Sequence, residues 1–185
     1  MEDQKIIQLY WDRDEQAIVE TRDKYGGYCH NIAWNILKER MDTEECLNDT
    51  WLRAWNTMPT TWPAALMAYL GKITRNLAIS LYRGRNAEKR GGGTLAVALD
   101  ELGDCVSGGE NVEHEVESRE TAQQISRFLR SLPQTQCDLF VRRYWYLDSI
   151  EVLARTFGMS ESKVKSCLFR IRKRLKAFLE KEGIV

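Results

Sequence analysis

Apolar residues recur at intervals of three and four through most of the chain and strict alternation is nearly absent, so the pattern predicts helices and no sheet. Helical windows at about 3 to 24 and about 28 to 40 are divided by Gly26-Gly27. Asp42, followed three residues later by Glu45, reads as an N-cap with a capping box for a helix running to about Asn56. Pro63 suits the first turn of the next helix, which extends to about Tyr82 or Arg83 with Leu66, Leu70, Ile73, Leu77 and Leu81 as its core stripe. Leu132-Pro133 marks a further break and restart. The expected fold is all-α.

The sharpest punctuation lies between Asp148 and Glu182. Asp148 and Glu151 form a capping box ahead of a short helix that stops at Gly158, a natural left-handed terminator, and Ser160 caps a second helix after a connection of about three residues. This is the pattern of a helix-turn-helix. On the second helix Val164, Leu168, Ile171, Leu175 and Leu179 share one stripe. The opposite side carries Ser162, Lys165, Ser166, Phe169, Arg170, Arg172 and Lys173, and no acid interrupts the seven bases from Lys163 to Lys176. An ordinary solvated helix intersperses Glu with Lys, because such pairs each stabilise by about 0.2–0.5 kcal/mol. A face that forgoes them fits a polyanion, and a helix fits the major groove of a DNA duplex. Phe169 fits either a thymine methyl or a neighbouring helix.

Charge along the chain supports a second nucleic-acid surface. The net charge is zero, yet residues 1–71 hold 7 Lys/Arg against 12 Asp/Glu and residues 72–90 hold 6 against 1. Residues 91–121 hold 1 against 8, and residues 122–185 hold 13 against 6. The helix after Pro63 sets Lys72, Arg75, Asn76, Ile79, Tyr82 and Arg83 opposite its leucines, a mixture of bases, amide and aromatic ring suited to unstacked bases of a single strand. The glycine-rich acidic stretch of residues 91–117 reads as a linker between an N-terminal domain, 1–90, and a C-terminal domain, 118–185.

Composition removes other classes. At 43% hydrophobic and a mean hydropathy of -0.46 the chain supports packed cores, but no apolar run reaches the roughly 18 residues of a membrane span. Met1 to Tyr10 has no secretory signal character, so a cytoplasmic location is expected. Cys29, Cys46, Cys105, Cys137 and Cys167 form no CxxC, and His30 and His114 stand alone, so neither a metal nor another cofactor is expected. Four of the thiols read as buried apolar groups and Cys105 as a loop thiol. Four carboxylates fall between Asp42 and Asp49 without a His, Cys or Lys placed to share acid–base work, so they read as a protein-docking surface with Leu47, Trp51 and Trp55 beside them. No catalytic residues are expected; the chain reads as a non-enzyme.

These residues resemble the extracytoplasmic-function class of the sigma-70 family. Asp42 to Trp55 is similar to region 2.2, Ala68 to Arg83 to regions 2.3 and 2.4, and Leu132 to Phe140 followed by Ser160 to Leu175 to region 4. Cys46, Asn48 and Asp49 stand where the family usually has Leu, Gln and Glu. The resemblance implies that Asp42, Glu45, Leu47, Asp49 and Trp51 grip the clamp helices of the largest subunit of core RNA polymerase. It implies that Asn76 and the loop from Thr57 to Trp62 capture a flipped base of the minus-ten element, with Lys72, Arg75, Tyr82 and Arg83 along that strand. It further implies that Ser162, Lys165, Ser166, Phe169, Arg170 and Lys173 read the minus-thirty-five duplex. Partners would be polymerase and promoter DNA, with an anti-sigma factor left open as a third. The rival readings from the residues are a stand-alone helix-turn-helix regulator with an N-terminal sensing or dimerisation domain, and an RNA-binding or nucleic-acid-processing enzyme, for which His30 and His114 offer no catalytic constellation.

Overall fold

The computed structural model describes residues 1–86, 97–98, 100–102 and 114–184, with the backbone alone for residues 86 and 114–120. Secondary structure among them is helical, and the chain divides into two compact units, Met1–Gly91 and Gly92–Val185.

In the first unit α1 (Asp3–Trp11) packs on α2 (Gln16–Leu37), while α2, α3 (Arg40–Thr57) and α4 (Leu66–Asn86) pack on one another. The expected division at Gly26-Gly27 does not occur; both lie inside α2, and the real break comes earlier, between Trp11 and Gln16. Two glycines lower helix propensity by about 2 kcal/mol, but flanking residues Tyr25 and Cys29 are buried in the core with Ile6, Tyr10 and Leu70, and that packing carries the helix through.

Two further boundaries move for identifiable reasons. α3 begins at Arg40 and its N-cap is Glu39, whose carboxylate accepts the Asp42 N–H at 2.7 Å; Asp42 occupies the third helical position and not the cap. α4 begins at Leu66, three residues after Pro63. Its buried side follows Leu66, Leu70, Thr74 and Ala78, whereas Ile73, Leu77 and Leu81 are only half-buried. Small residues win this face because the neighbours come close: a Cβ on Gly71 would stand 3.1 Å from two atoms of the Tyr28 ring. Thr74 Oγ1 bonds the Leu70 carbonyl and meets Thr50 Oγ1 at 3.3 Å, and the Cys46 thiol donates to the Thr74 carbonyl at 3.6 Å.

In the second unit α5 (His114–Arg130), α6 (Gln134–Tyr144) and α7 (Ile150–Phe157) all pack against α8 (Glu161–Lys181). Val164, Leu168, Ile171, Leu175 and Leu179 are all buried, as their spacing predicts. Each such burial stabilises by about 1.5–3 kcal/mol. Phe178 adds a ring contact with Phe128 at 5.6 Å between centroids. Part of the stretch read as linker is packed as well: Ala98 is buried, and Glu101 is bonded to α6 and α8. Of the thiols, Cys29 and Cys46 are buried, Cys137 and Cys167 are only partly so, and Cys105 lies outside the described residues.

Candidate nucleic-acid interface

The turn that presents α8 is built by three short-range devices. Ser149 caps α7 by accepting the Val152 N–H at 3.2 Å, one residue later than the expected cap at Asp148. Asp148 is drawn away by arginines: its carboxylate accepts Arg142 Nε at 2.8 Å and its carbonyl accepts Arg143 Nη1 at 3.1 Å. Gly158 ends α7 at φ 60°, a left-handed conformation that costs glycine little. Ser160 then caps α8 by accepting the Lys163 N–H at 3.2 Å.

With one side of α8 in the core, the other is open. Ser162, Lys165, Ser166, Phe169, Arg170 and Lys173 are all exposed, and they lie along one helical face. Phe169 is 59% exposed, so it is not packed against a neighbouring helix. Lys165 has one helical partner, Glu161, at 3.8 Å, so the face is not wholly without i,i+4 support. Arg172 does not belong to the open face: its Nη1 donates to Tyr144 Oη at 2.7 Å and to Glu101 at 3.4 Å. Burial raises the Tyr144 phenol well above its ordinary range, so it stays protonated.

On α4 the expected residues divide. Lys72, Asn76 and Arg83 are exposed, while Tyr82 is half-buried. Arg75 is also half-buried, and desolvation lowers its pKa from the ordinary value; it remains a cation, since arginine does not lose its proton in proteins. The loop before α4 is ordered by a 2.6 Å contact between the Thr57 and Tyr69 hydroxyls and by Thr60 Oγ1 donating to the Thr57 carbonyl at 2.9 Å. Trp62 stands half-exposed at its end, 5.8 Å from the ring of Trp11. The pattern gave no sign of Trp11 at this place, because the two indoles are far apart in sequence.

The acidic helix start also divides. Glu45 and Asp49 are exposed, whereas Asp42 is only 3% exposed and ion-paired with Arg85 at the end of α4. Backbone N–H bonds from Asp42 and Met41 hold the Glu39 carboxyl below its ordinary value, while burial lifts Asp42 above its own. Trp51 belongs mostly to the core, and Leu47 packs against the same cluster. Both also edge a groove of about 510 Å³ between α2 and α3, whose other walls include Arg22, Gly26, Gly27, His30, Glu44 and Asn48. The missing side chains of Gly26 and Gly27 leave that groove open.

Residues 22–88 match the family model of sigma-70 region 2. The match runs from within α2 through α4, inside the first unit. The chain is similar to the solved structure of CnrH in complex with the cytosolic domain of CnrY, at 18% identity over 97% of each chain and a TM-score of 0.45. No curated protein matches the chain. No helix among the described residues is long and apolar enough to cross a membrane.

Proposed function

We propose that the chain is a sigma factor of the extracytoplasmic-function type, which directs core RNA polymerase to specific promoters and assists their melting. The observation that carries this reading is the region 2 match on a unit joined, in one chain, to a capped helix-turn-helix with an open basic face. A stand-alone regulator has no use for a region 2, and its α4 residues Lys72, Asn76 and Arg83 would have no ligand.

In this reading α8 lies in the major groove of the minus-thirty-five duplex. Lys165, Arg170 and Lys173 neutralise phosphates or reach base edges, Ser162 and Ser166 hydrogen-bond, and Phe169 covers a thymine methyl. Asn76 and the loop from Thr57 to Trp62 take a flipped base of the minus-ten strand. Lys72 and Arg83 follow the backbone of that strand, with the half-buried Arg75 and Tyr82 beneath. Glu45 and Asp49, with the groove edged by Leu47 and Trp51, receive the clamp helices of the polymerase. Asp42 contributes by holding the start of α3 to the end of α4. The chain performs no reaction; its binding free energy favours opened over closed DNA. An anti-sigma factor would act by covering one of these faces.

Run-off transcription with purified core polymerase across a promoter library tests this directly. The expected result is sigma-dependent transcripts from a subset of promoters sharing two elements. Binding of duplex DNA without any effect on polymerase would instead favour the regulator.

A further inference from the structure

The face of α8 loses one arginine to a contact that the helix pattern alone does not reveal. Arg172 lies next to Lys165 and Phe169 around the helix, at the border between the buried stripe and the open face. Its guanidinium is turned to Tyr144 and Glu101. Glu101 comes from the acidic stretch ahead of the unit's main helices, 71 residues earlier in sequence. Its carboxylate also accepts Arg143 Nη2 at 3.2 Å, Arg143 Nε at 3.4 Å and Tyr144 Oη at 2.9 Å.

Arg143 is 3% exposed and Tyr144 is buried, so two cations and a phenol converge on one anion from a largely enclosed position. Two guanidinium groups and a hydroxyl match the geometry of a phosphate as well as that of a carboxylate.

We propose that Arg143, Tyr144 and Arg172 form an anion site that Glu101 fills in cis, and that this contact withholds Arg172 from the phosphate backbone of duplex DNA. Glu101 thus acts as an internal competitor for the DNA backbone, trimming the affinity of α8 by one phosphate contact. The inference rests on the reading of α8 as a duplex-binding helix. A specificity subunit gains from such trimming, because phosphate contacts add affinity for every sequence alike.

The test is the salt dependence of binding to a short, labelled, mixed-sequence duplex, followed by fluorescence anisotropy with the full chain. Glu101→Gln is expected to steepen the slope of log K against log salt by about 0.9, one phosphate's worth, and Arg172→Gln added to it is expected to restore the wild-type slope. Arg172→Gln alone, which leaves the buried Arg143 paired with Glu101, is expected to leave the slope unchanged. Thermal melting by circular dichroism accompanies each variant. A slope that Glu101→Gln does not steepen, or that Arg172→Gln alone makes shallower by about 0.9, overturns the proposal while leaving α8 as the duplex reader. A wild-type chain that binds no duplex overturns both.

Discussion

The carboxylate of Asp42, near the start of α3, is held by the guanidinium of Arg85 at the end of α4, and Arg85 also lies 4.0 Å from Glu45. Arg85→Gln leaves a nearly buried carboxylate without its cation. We expect a loss of about 1–2 kcal/mol of stability, below the 3–5 typical of a fully buried pair because Arg85 is more than half exposed. Asp42→Asn in the same chain is expected to recover part of that loss. Urea unfolding of the single and double variants measures the coupling, and strictly additive losses would contradict the pairing.

A second tie joins α1 to α2, where Asp3 accepts Lys24 Nζ at 2.7 Å and Tyr25 Oη at 2.6 Å. These bonds hold the Asp3 carboxyl below its ordinary 3.8. The unfolded chain therefore takes up this proton more readily than the folded one. The contribution is complete above pH 3.8 and disappears as pH falls through the lower folded value. Asp3→Asn should flatten that acid limb, so wild-type and variant denaturant midpoints converge on acidification. Curves that stay parallel would show that the tie contributes nothing.

Gly71 permits the close approach of α4 to α2, and alanine there would press its methyl into the ring of Tyr28. Gly71→Ala gains about 1 kcal/mol of helix propensity but overpacks the contact by roughly 1–3 kcal/mol. The expected net effect is a lower melting temperature, whereas the same change at Gly27, which faces open space, is expected to raise it. Comparing the two melts separates packing from propensity.

Neighbouring residues on α8 have opposite expected phenotypes. Leu168→Ala removes a buried side chain and should cost about 2–5 kcal/mol of stability. Phe169→Ala alters an exposed ring and should change stability by less than about 0.5 kcal/mol. Phe169→Ala is nevertheless expected to weaken promoter binding several-fold, measured by electrophoretic mobility shift in fixed salt. Unchanged affinity would remove Phe169 from the duplex face.

The punctuation around α7 and α8 was readable because each signal is local. Gly158 supplies the left-handed residue, Ser160 the cap, and five apolar positions the stripe. Errors came where distant partners decide. Ser149 and Asp148 are both competent caps, and only the placement of Arg142 and Arg143 assigns Asp148 elsewhere. Glu39 is a poor cap by residue type, yet it caps α3 while Asp42 is claimed by Arg85. The buried side of α4 departs from its pattern for a related reason: Ile73, Leu77 and Leu81 continue the spacing of Leu66 and Leu70, but Thr74 and Ala78 fit the narrower space left by α2 and α3. Of the site residues, Lys72, Asn76 and Lys165 were found where exposure was expected, whereas Glu101 carries no periodic signal at all.

Charge reversal on the α3 surface tests the proposed polymerase contact without touching the core. Glu45→Lys combined with Asp49→Lys alters two exposed side chains, and leaves Asp42 with Arg85. The expected outcome is a slightly lowered melting temperature, because a lysine at 45 stands beside Arg85, with capture by core polymerase reduced at least tenfold in a pull-down, about 1.4 kcal/mol or more. Undiminished capture would assign these carboxylates to solvent.

Deep in the first unit, Thr50 and Thr74 meet hydroxyl to hydroxyl with no route to solvent. Turning α4 about its axis by a single position would break this contact and the bond from the Cys46 thiol to the Thr74 carbonyl, and would swing a longer side chain, Ile73 or Arg75, into the space the threonine fills. The pair therefore works as an index pin, fixing the angle at which the rod is seated. Two threonines deep in the core thus select which side chains of α4 face outward.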